Sequence, residues 1–288
     1  MAVSSDTNEK SAKGSDATLL QMKNLSVRYA GSQRGEQGVL ALDGIDLEVH
    51  EGEFVSVVGP SGCGKSTLLS TLGGLLPGFE GEIQVKDHGI DGPHPDIGVV
   101  FQEDSTFPWR SVLRNVEFGL EMRGVPKEER RRKAEEVLKM VGLEGFKESY
   151  PGQLSGGMKQ RVAIVRTLVT EPAILLMDEP FGALDEQTRI ILGEELLRIQ
   201  ESLGQTIVFI THNIQEAILL SDRVVVLSAR PGRIKAVVSV DLPRPRDSTL
   251  LSSDHFTELV GEVWSVLREE SLKGFAQTEG IGKEESDA

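Results

Sequence analysis

The residues best equipped for chemistry are Gly59-Pro60-Ser61-Gly62-Cys63-Gly64-Lys65-Ser66-Thr67. A glycine, four residues and then Gly-Lys-Ser is the spacing of a phosphate-binding P-loop. A polyphosphate needs several backbone N–H groups turned inward, and glycines let the chain curl that closely. Lys65 offers a point charge to β- and γ-phosphates, and the Ser66 hydroxyl suits Mg²⁺. A second cluster lies far along the chain, where Ile174-Leu175-Leu176-Met177 runs into Asp178-Glu179. An apolar strand there delivers two carboxylates to the sheet edge where open α/β sheets bind ligands. Asp178 can hold Mg²⁺ through water, and Glu179 can orient and polarise an attacking water. A third stretch is Leu154-Ser155-Gly156-Gly157-Met158-Lys159-Gln160-Arg161. Ser155 and its two glycines open a helix, giving an anion site with no lysine to complete it.

These residues need a scaffold that holds them together, and the hydrophobic pattern supplies one. Phe54–Val58 reads as a buried strand and Lys65–Leu72 as a helix, placing phosphates at a helix N-terminus. Before them, Leu25, Val27 and Tyr29 alternate, as do Ile45, Leu47 and Val49, predicting antiparallel strands joined by a glycine-rich loop at 31–38. Ile83 with Val85, and residues 97–101, give two more strands. From 111 to 152 the pattern turns helical, with Pro126 expected at the first position of a helix rich in early acids. The run Arg130-Arg131-Arg132-Lys133 is interleaved with glutamates and reads as a solvated helix face. Alternation then returns: strands at 173–177, 206–210 and 223–227, with helices at 186–203 and 213–220 between them. Apolar strands between helices predict a parallel sheet covered on both faces. Phe256, Leu259, Val260, Val263 and Leu267 form the stripe of a closing helix. Residues 1–17 read as a disordered tail, 246–270 as a helical extension and 271–288 as a frayed acidic tail.

Composition narrows the function. The formal net charge of −14 at pH 7 argues against nucleic acid as the main partner, because phosphate backbones require clustered cations. One cysteine precludes an intrachain disulfide and suits a reducing compartment. The sequence offers neither an apolar run of bilayer length nor the apolar core of a signal peptide, so a cytoplasmic chain is expected. Four histidines, His50, His88, His94 and His255, have no metal-ligand spacing. Cys63, at a helix N-terminus among loop N–H groups, is expected to favour its thiolate and to react when no nucleotide is bound.

With Leu154-Ser155-Gly156-Gly157-Met158 in view, the chain resembles the ATP-binding subunit of ABC transporters over roughly residues 18–245. The resemblance implies an α/β, P-loop NTPase (RecA-like) core with an antiparallel β-subdomain and an α-helical subdomain inserted at about 104–168. It implies that Tyr29 stacks on adenine, that Gln102 contacts Mg²⁺ and the attacking water, and that His212 meets the γ-phosphate. Asp185, in Ala183-Leu184-Asp185, resembles the loop that crosses a dimer interface, and Ser155, Gly156 and Gly157 then act in trans on a partner's ATP. Met158 stands where many members carry Gln or Glu, and Thr167 where Ala is common; the second change should affect packing only.

Phe107-Pro108-Trp109-Arg110 and Asp241-Leu242-Pro243-Arg244-Pro245-Arg246-Asp247 recur in the group that imports nitrate, sulfonates, taurine and related anions. The resemblance thus implies the motor subunit of an importer. Its partners would be a second copy or a close homolog, transmembrane permease subunits and, indirectly, a solute-binding protein, with the motor peripheral on the inner membrane face. An exporter motor and a non-transport ABC ATPase are the competing readings. The short stretch after 242 gives no expectation of a regulatory β-domain.

Overall fold

A computed structural model describes residues 17–30, 38–102 and 105–284, with side chains to residue 274. In chain order it begins with β1 (Thr18–Tyr29), β2 (Val39–His50), β3 (Phe54–Val58), α1 (Lys65–Leu72), β4 (Phe79–Val85), β5 (His88–Gly89) and β6 (Ile97–Val100). Helices α2 (Val112–Met122), α3 (Lys127–Met140) and α4 (Gly156–Leu168) follow. Then come β7 (Ile174–Asp178), α5 (Glu186–Leu203), β8 (Thr206–Ile210), α6 (Ile214–Leu220), β9 (Arg223–Leu227), β10 (Ile234–Ser239) and α7 (Asp254–Glu284).

The strands form two sheets, an antiparallel one ordered β2-β1-β4-β5 and a six-stranded one ordered β10-β9-β3-β8-β7-β6. From β9 to β6 the larger sheet is parallel, and β10 adds an antiparallel edge. Its central strands read as unbroken apolar runs because each serves two cores. In β7, Leu175 and Met177 join the core under α2, α4 and α5, while Ile174 and Leu176 join the core under α1 and the antiparallel sheet. β8 divides the same way, with Ile207 and Phe209 on one face and Val208 and Ile210 on the other. Parallel pairing of β9, β3, β8, β7 and β6 puts their C-terminal ends on one edge, where β3 releases the P-loop and β7 presents Asp178.

Helices α2 to α4 pack through Val112, Val116, Leu120, Leu138, Val162 and Val165, which share a core with β7. In the basic run, Arg131 and Arg132 are exposed and pair with Glu135 and Glu136 one turn on. Arg130 instead turns toward Glu117 and Glu121, and Lys133 reaches Glu171 at 2.8 Å.

Four features differ from expectation. β5 and β10 were not anticipated: one is two residues long, and the other is largely exposed, with Lys235 and Ser239 interrupting its apolar residues. Pro126 is the N-cap of α3 and not its first residue. Helix α7 continues to Glu284, where a frayed tail was expected from 271. Lys273 explains part of the extension, bonding Glu269 at 2.7 Å and the buried Glu270 at 2.9 Å, one turn back. The tail expected at 1–17 lies outside the described residues except Ala17, whose carbonyl accepts from Glu51 N–H; most of the 31–38 loop and residues 285–288 also lie outside them.

The Asp241–Asp247 segment has a structural task. Arg246 is buried and donates to the carbonyls of Leu242, Val240 and Ser221, tying the segment to the α6–β9 turn. Burial, with Arg244 beside it, pushes the Arg246 guanidinium down to about 10. Arg244 donates to Asp222 at 2.7 Å and to Glu201 at 3.0 Å. Among the described residues no helix is long and apolar enough to cross a membrane.

Candidate active site

A cleft of ≈ 520 Å³ opens over the P-loop. Ser61, Gly62, Gly64, Lys65, Ser66 and Thr67 line it, with Tyr29, Val39, Ala41, Glu179 and Arg230. The loop's curl depends on Gly64, which takes φ 103° and sits where a Cβ would lie 2.9 Å from the Ala41 carbonyl oxygen. Lys65 is buried, and its Nζ donates to the carbonyls of Gly59 at 2.9 Å and Pro60 at 3.1 Å. An ammonium has three protons, so this geometry fixes Lys65 while a phosphate oxygen can take the third. Tyr29, half-exposed, has its hydroxyl 3.1 Å from the Thr67 hydroxyl.

Cys63 departs from expectation. It is 1% exposed, and burial, the largest influence, pushes its thiol up against the lowering effect of Lys65. A thiol-specific alkylating reagent should label the folded chain slowly, at one rate with and without ATP, and rapidly only in denaturant. Equal labelling of folded and denatured chain would overturn the buried position.

Beyond the loop, β7 and β8 place three functional side chains. Asp178 accepts a hydrogen bond from Ser66; its carboxyl is raised, first by burial, then by the charge of Glu179, with Ser66 and Lys65 opposing. Glu179 holds φ 42°, strained for a residue with a Cβ, while its N–H bonds the Ile210 carbonyl at 2.9 Å. Its carboxylate lies 2.9 Å from His212 Nδ1. Asn213 caps α6 by accepting from Glu216 N–H, which fixes the backbone just after His212. Gln102 follows β6 and approaches the turn after Glu179: its amide nitrogen is 3.5 Å from where Gly182 would carry a Cβ.

A half-buried carboxylate beside a second carboxylate and a hydroxyl is a hard oxygen set that a divalent cation would relieve, so these residues fit Mg²⁺. Among the described residues no three His, Cys, Asp or Glu side chains gather as a complete metal cage. Mg²⁺ characteristically takes one or two protein ligands and completes its shell with phosphates and water.

Ser155, Gly156, Gly157 and Asp185 are not among the residues lining this cleft. They meet each other elsewhere. Ser155 caps α4 by accepting from Met158 N–H at 3.3 Å, and a Cβ on Gly156 would lie 3.2 Å from the Leu184 side chain. Asp185 caps α5, and hydrogen bonds from Thr188 hold its exposed carboxyl below the usual range.

Sequence reading missed two arginines. Arg230 lines the cleft from the β9–β10 turn, and an Arg-Pro-Gly turn just past a parallel strand was the available signal. Arg166 donates to the Ser105 carbonyl and stacks 5.3 Å over Phe107, anchoring those two residues ahead of Trp109. Thr167 bonds the Val99 and Ala163 carbonyls.

The sheet order, the loop after β3 and the carboxylates after β7 define a P-loop nucleoside triphosphatase. Within that class the chain belongs to the ATP-binding subunit family of ABC transporters: residues 42–182 match the family described as ABC transporter. An uncharacterized ABC transporter ATP-binding protein of Methanocaldococcus jannaschii is 56% identical over 235 residues, 82% of this chain and 87% of that protein. The taurine import ATP-binding protein of Rhizobium johnstonii is 44% identical over 254 residues, 86% and 96% of the two chains. The bicarbonate transport ATP-binding protein of Synechococcus elongatus is 50% identical over 74% of this chain, which spans 32% of that longer protein. A dimeric ATP-binding cassette in a post-hydrolysis state with ADP and Pi superposes with a TM-score of 0.67 at 36% identity, covering 78% of this chain and all of that one. As a member of this family, the chain is an ATPase whose hydrolysis is coupled to transport.

Proposed function

We propose that the chain is the motor of an importer for a small anion such as nitrate, a sulfonate or taurine. It works as a nucleotide-closed dimer beneath two membrane subunits, on the inner face of the membrane, and a solute-binding protein delivers the anion. The taurine and bicarbonate import relatives support the anion class. Ser66, Asp178 and Gln102 would hold Mg²⁺, which supplies charge neutralisation at the phosphates. Lys65 and the loop N–H groups hold the β- and γ-phosphates, Tyr29 meets the base, and Glu179 takes the proton of the attacking water. His212, paired with Glu179, fixes that carboxylate toward the γ-phosphate.

The observation that carries membrane docking is Trp109. It is 72% exposed, yet its turn is tightly built. Buried Asn115 donates to the carbonyls of Phe107, Arg110 and Ser111 and accepts from Phe107 N–H at 2.7 Å. Phe107 packs on Trp109 at 5.6 Å and edge-on against Phe118 at 4.6 Å between centroids. A rigid turn that holds an indole out in water is poised for a partner. A neighbouring reading frame should encode a multi-span subunit; co-expressed with it, the chain should co-purify in detergent, and Trp109→Asp should abolish that while soluble ATPase activity persists. Undiminished co-purification of Trp109→Asp would refute the docking site. In vesicles, an anion-loaded binding protein should stimulate hydrolysis; stimulation by a sugar-loaded one alone would refute the anion class.

A further inference from the structure

Packing does little to aim His212. Its side chain is 58% exposed and bonds Glu179 at 2.9 Å, so the backbone on either side must set its direction. One carboxylate holds that backbone. Thr211, 2% exposed just after β8, donates its hydroxyl proton to Glu216 Oε2, and its hydroxyl oxygen accepts from Asn213 N–H at 3.0 Å. Asn213 Oδ1 accepts in turn from Glu216 N–H at 3.1 Å, and Thr211 N–H donates to the Val57 carbonyl of β3 at 3.3 Å. An ordinary capping box would return the glutamate directly to the N-cap N–H. Here a hydroxyl is interposed, and the wider ring of bonds encloses His212 as well as the start of α6.

Glu216 meets a second group as well. With Arg189 of α5 it lines a cavity of ≈ 30 Å³, beside Ile190, Leu219, Leu220 and Leu251. Glu216 Oε1 and Arg189 Nε are shut off from solvent, and among the described residues neither atom has a hydrogen-bond partner. Burial pushes the Glu216 carboxyl up, while the Thr211 hydroxyl and then the charge of Arg189 oppose it. Arg189 is fastened at its other end, where Nη2 donates to the Leu184 carbonyl at 3.1 Å, next to the Asp185 that caps α5. A buried carboxylate with one oxygen unbonded is costly, so its place calls for a function beyond capping a short helix.

We infer that Glu216 is a positioning residue for hydrolysis. Through the Thr211 hydroxyl it fixes the backbone that presents His212 to Glu179, and through the charge of Arg189 it ties that backbone to the Leu184–Asp185 turn. Glu216 is not among the residues lining the nucleotide cleft, so it acts only through these contacts. The bond from Thr211 aligns His212 before nucleotide arrives, which leaves little ordering cost to the hydrolytic step. Arg189 makes a shift of the Leu184 carbonyl a shift of the charge opposite Glu216, so the start of α5 and the His212 turn move together.

This role rests on the reading that His212 and Glu179 serve hydrolysis, and the experiment separates the two. Phosphate release by the purified full chain is measured with Mg²⁺ and ATP, and the nitrogen NMR signals of the histidine rings are recorded without nucleotide. Thr211→Val should lower kcat about tenfold and leave KM within about twofold of normal, the split expected when only transition-state alignment is lost. It should also move the His212 ring signals, which are identified by their loss in His212→Ala. Thr211→Ser, which restores the hydroxyl, should recover kcat to within about twofold and leave those signals in place. Glu216→Gln keeps an acceptor for the Thr211 hydroxyl but loses the charge opposite Arg189. Its kcat should fall about threefold in the unchanged background and no further in Arg189→Met, a coupling that a merely structural role would not produce. A folded Thr211→Val chain that turns over within about twofold of normal, or loses rate with its His212 signals unmoved, overturns the positioning role. Should valine prevent folding, the same readings on Thr211→Ala decide. Undiminished kcat in Glu216→Gln, or equal losses in both backgrounds, overturns the tie to Arg189. His212→Ala is the control: if it hydrolyses ATP normally, the reading that His212 serves hydrolysis fails.

Discussion

Lys65→Ala abolishes ATP hydrolysis. The argument begins with where the ammonium is. Lys65 is 8% exposed, at the start of α1, and two loop carbonyls fix its Nζ. A charge held there in advance costs no reorganisation when negative charge builds on the transferring phosphoryl group. Losing such a preorganised cation costs about 3–4 kcal/mol of transition-state stabilisation, or about a hundredfold to a thousandfold in rate. Alanine removes the ammonium and the hydrogen bonds to Gly59 and Pro60 together, so the loop also loses its internal tie. The measurement is phosphate release by the purified variant, with thermal unfolding as a check that the chain remains folded. A folded variant that turns over within tenfold of the unchanged protein would remove Lys65 from the phosphate site.

Physical locality explains how much of this site could be read in advance. The P-loop, the strand before it and the helix after it are contiguous, so spacing alone carries their geometry. Asp178 and Glu179 are equally local, because an apolar strand that ends in two carboxylates sets its own edge. Helix α5 and strands β8 and β9 begin and end at the residues the pattern predicts, since each is bounded by polar or glycine punctuation. The misreadings share one cause, which is dependence on distant residues. Arg230 is brought to Gly62 across 168 positions, and Glu270 to Ala229 across 41. The thiol of Cys63 was read from its place at a helix start, but tertiary packing decides it: a Cβ on Gly59 would lie 2.7 Å from its Sγ, and it joins the core with Leu68 and Leu227. The polar composition after 270 suggests fraying, yet α7 continues, with Lys273 paired to Glu270 one turn back and Glu270 joining the helix to Ala229.

Glu179→Gln, mixed with ATP, accumulates as a dimer. Two separate surfaces on one chain lead to this result. The first is the cleft, where Lys65, Ser66 and Glu179 surround the place for the phosphates. The second is the α4 start, where Ser155 and two glycines present helix N–H groups toward solvent with Asp185 and Thr188 beside them. The second surface has the N–H groups that suit an anion but lines no part of the first, so within one chain it has no phosphate to meet. A two-fold partner resolves this, since each chain's Ser155 can then face the other's γ-phosphate. In the proposed dimer, ATP in both clefts would be held by both chains, and hydrolysis would remove the group they share, so the closed state would lose its advantage and open. The amide in Glu179→Gln keeps the size of the side chain and can still bond His212, but it cannot accept the proton of the attacking water. Closure therefore proceeds and opening does not. Size-exclusion chromatography with light scattering should give a monomer without nucleotide and a dimer with ATP. Adding Ser155→Arg, which sets a bulky cation at the helix start, should return the protein to a monomer. A monomer at saturating ATP, with ATP binding shown by calorimetry, would refute the shared site.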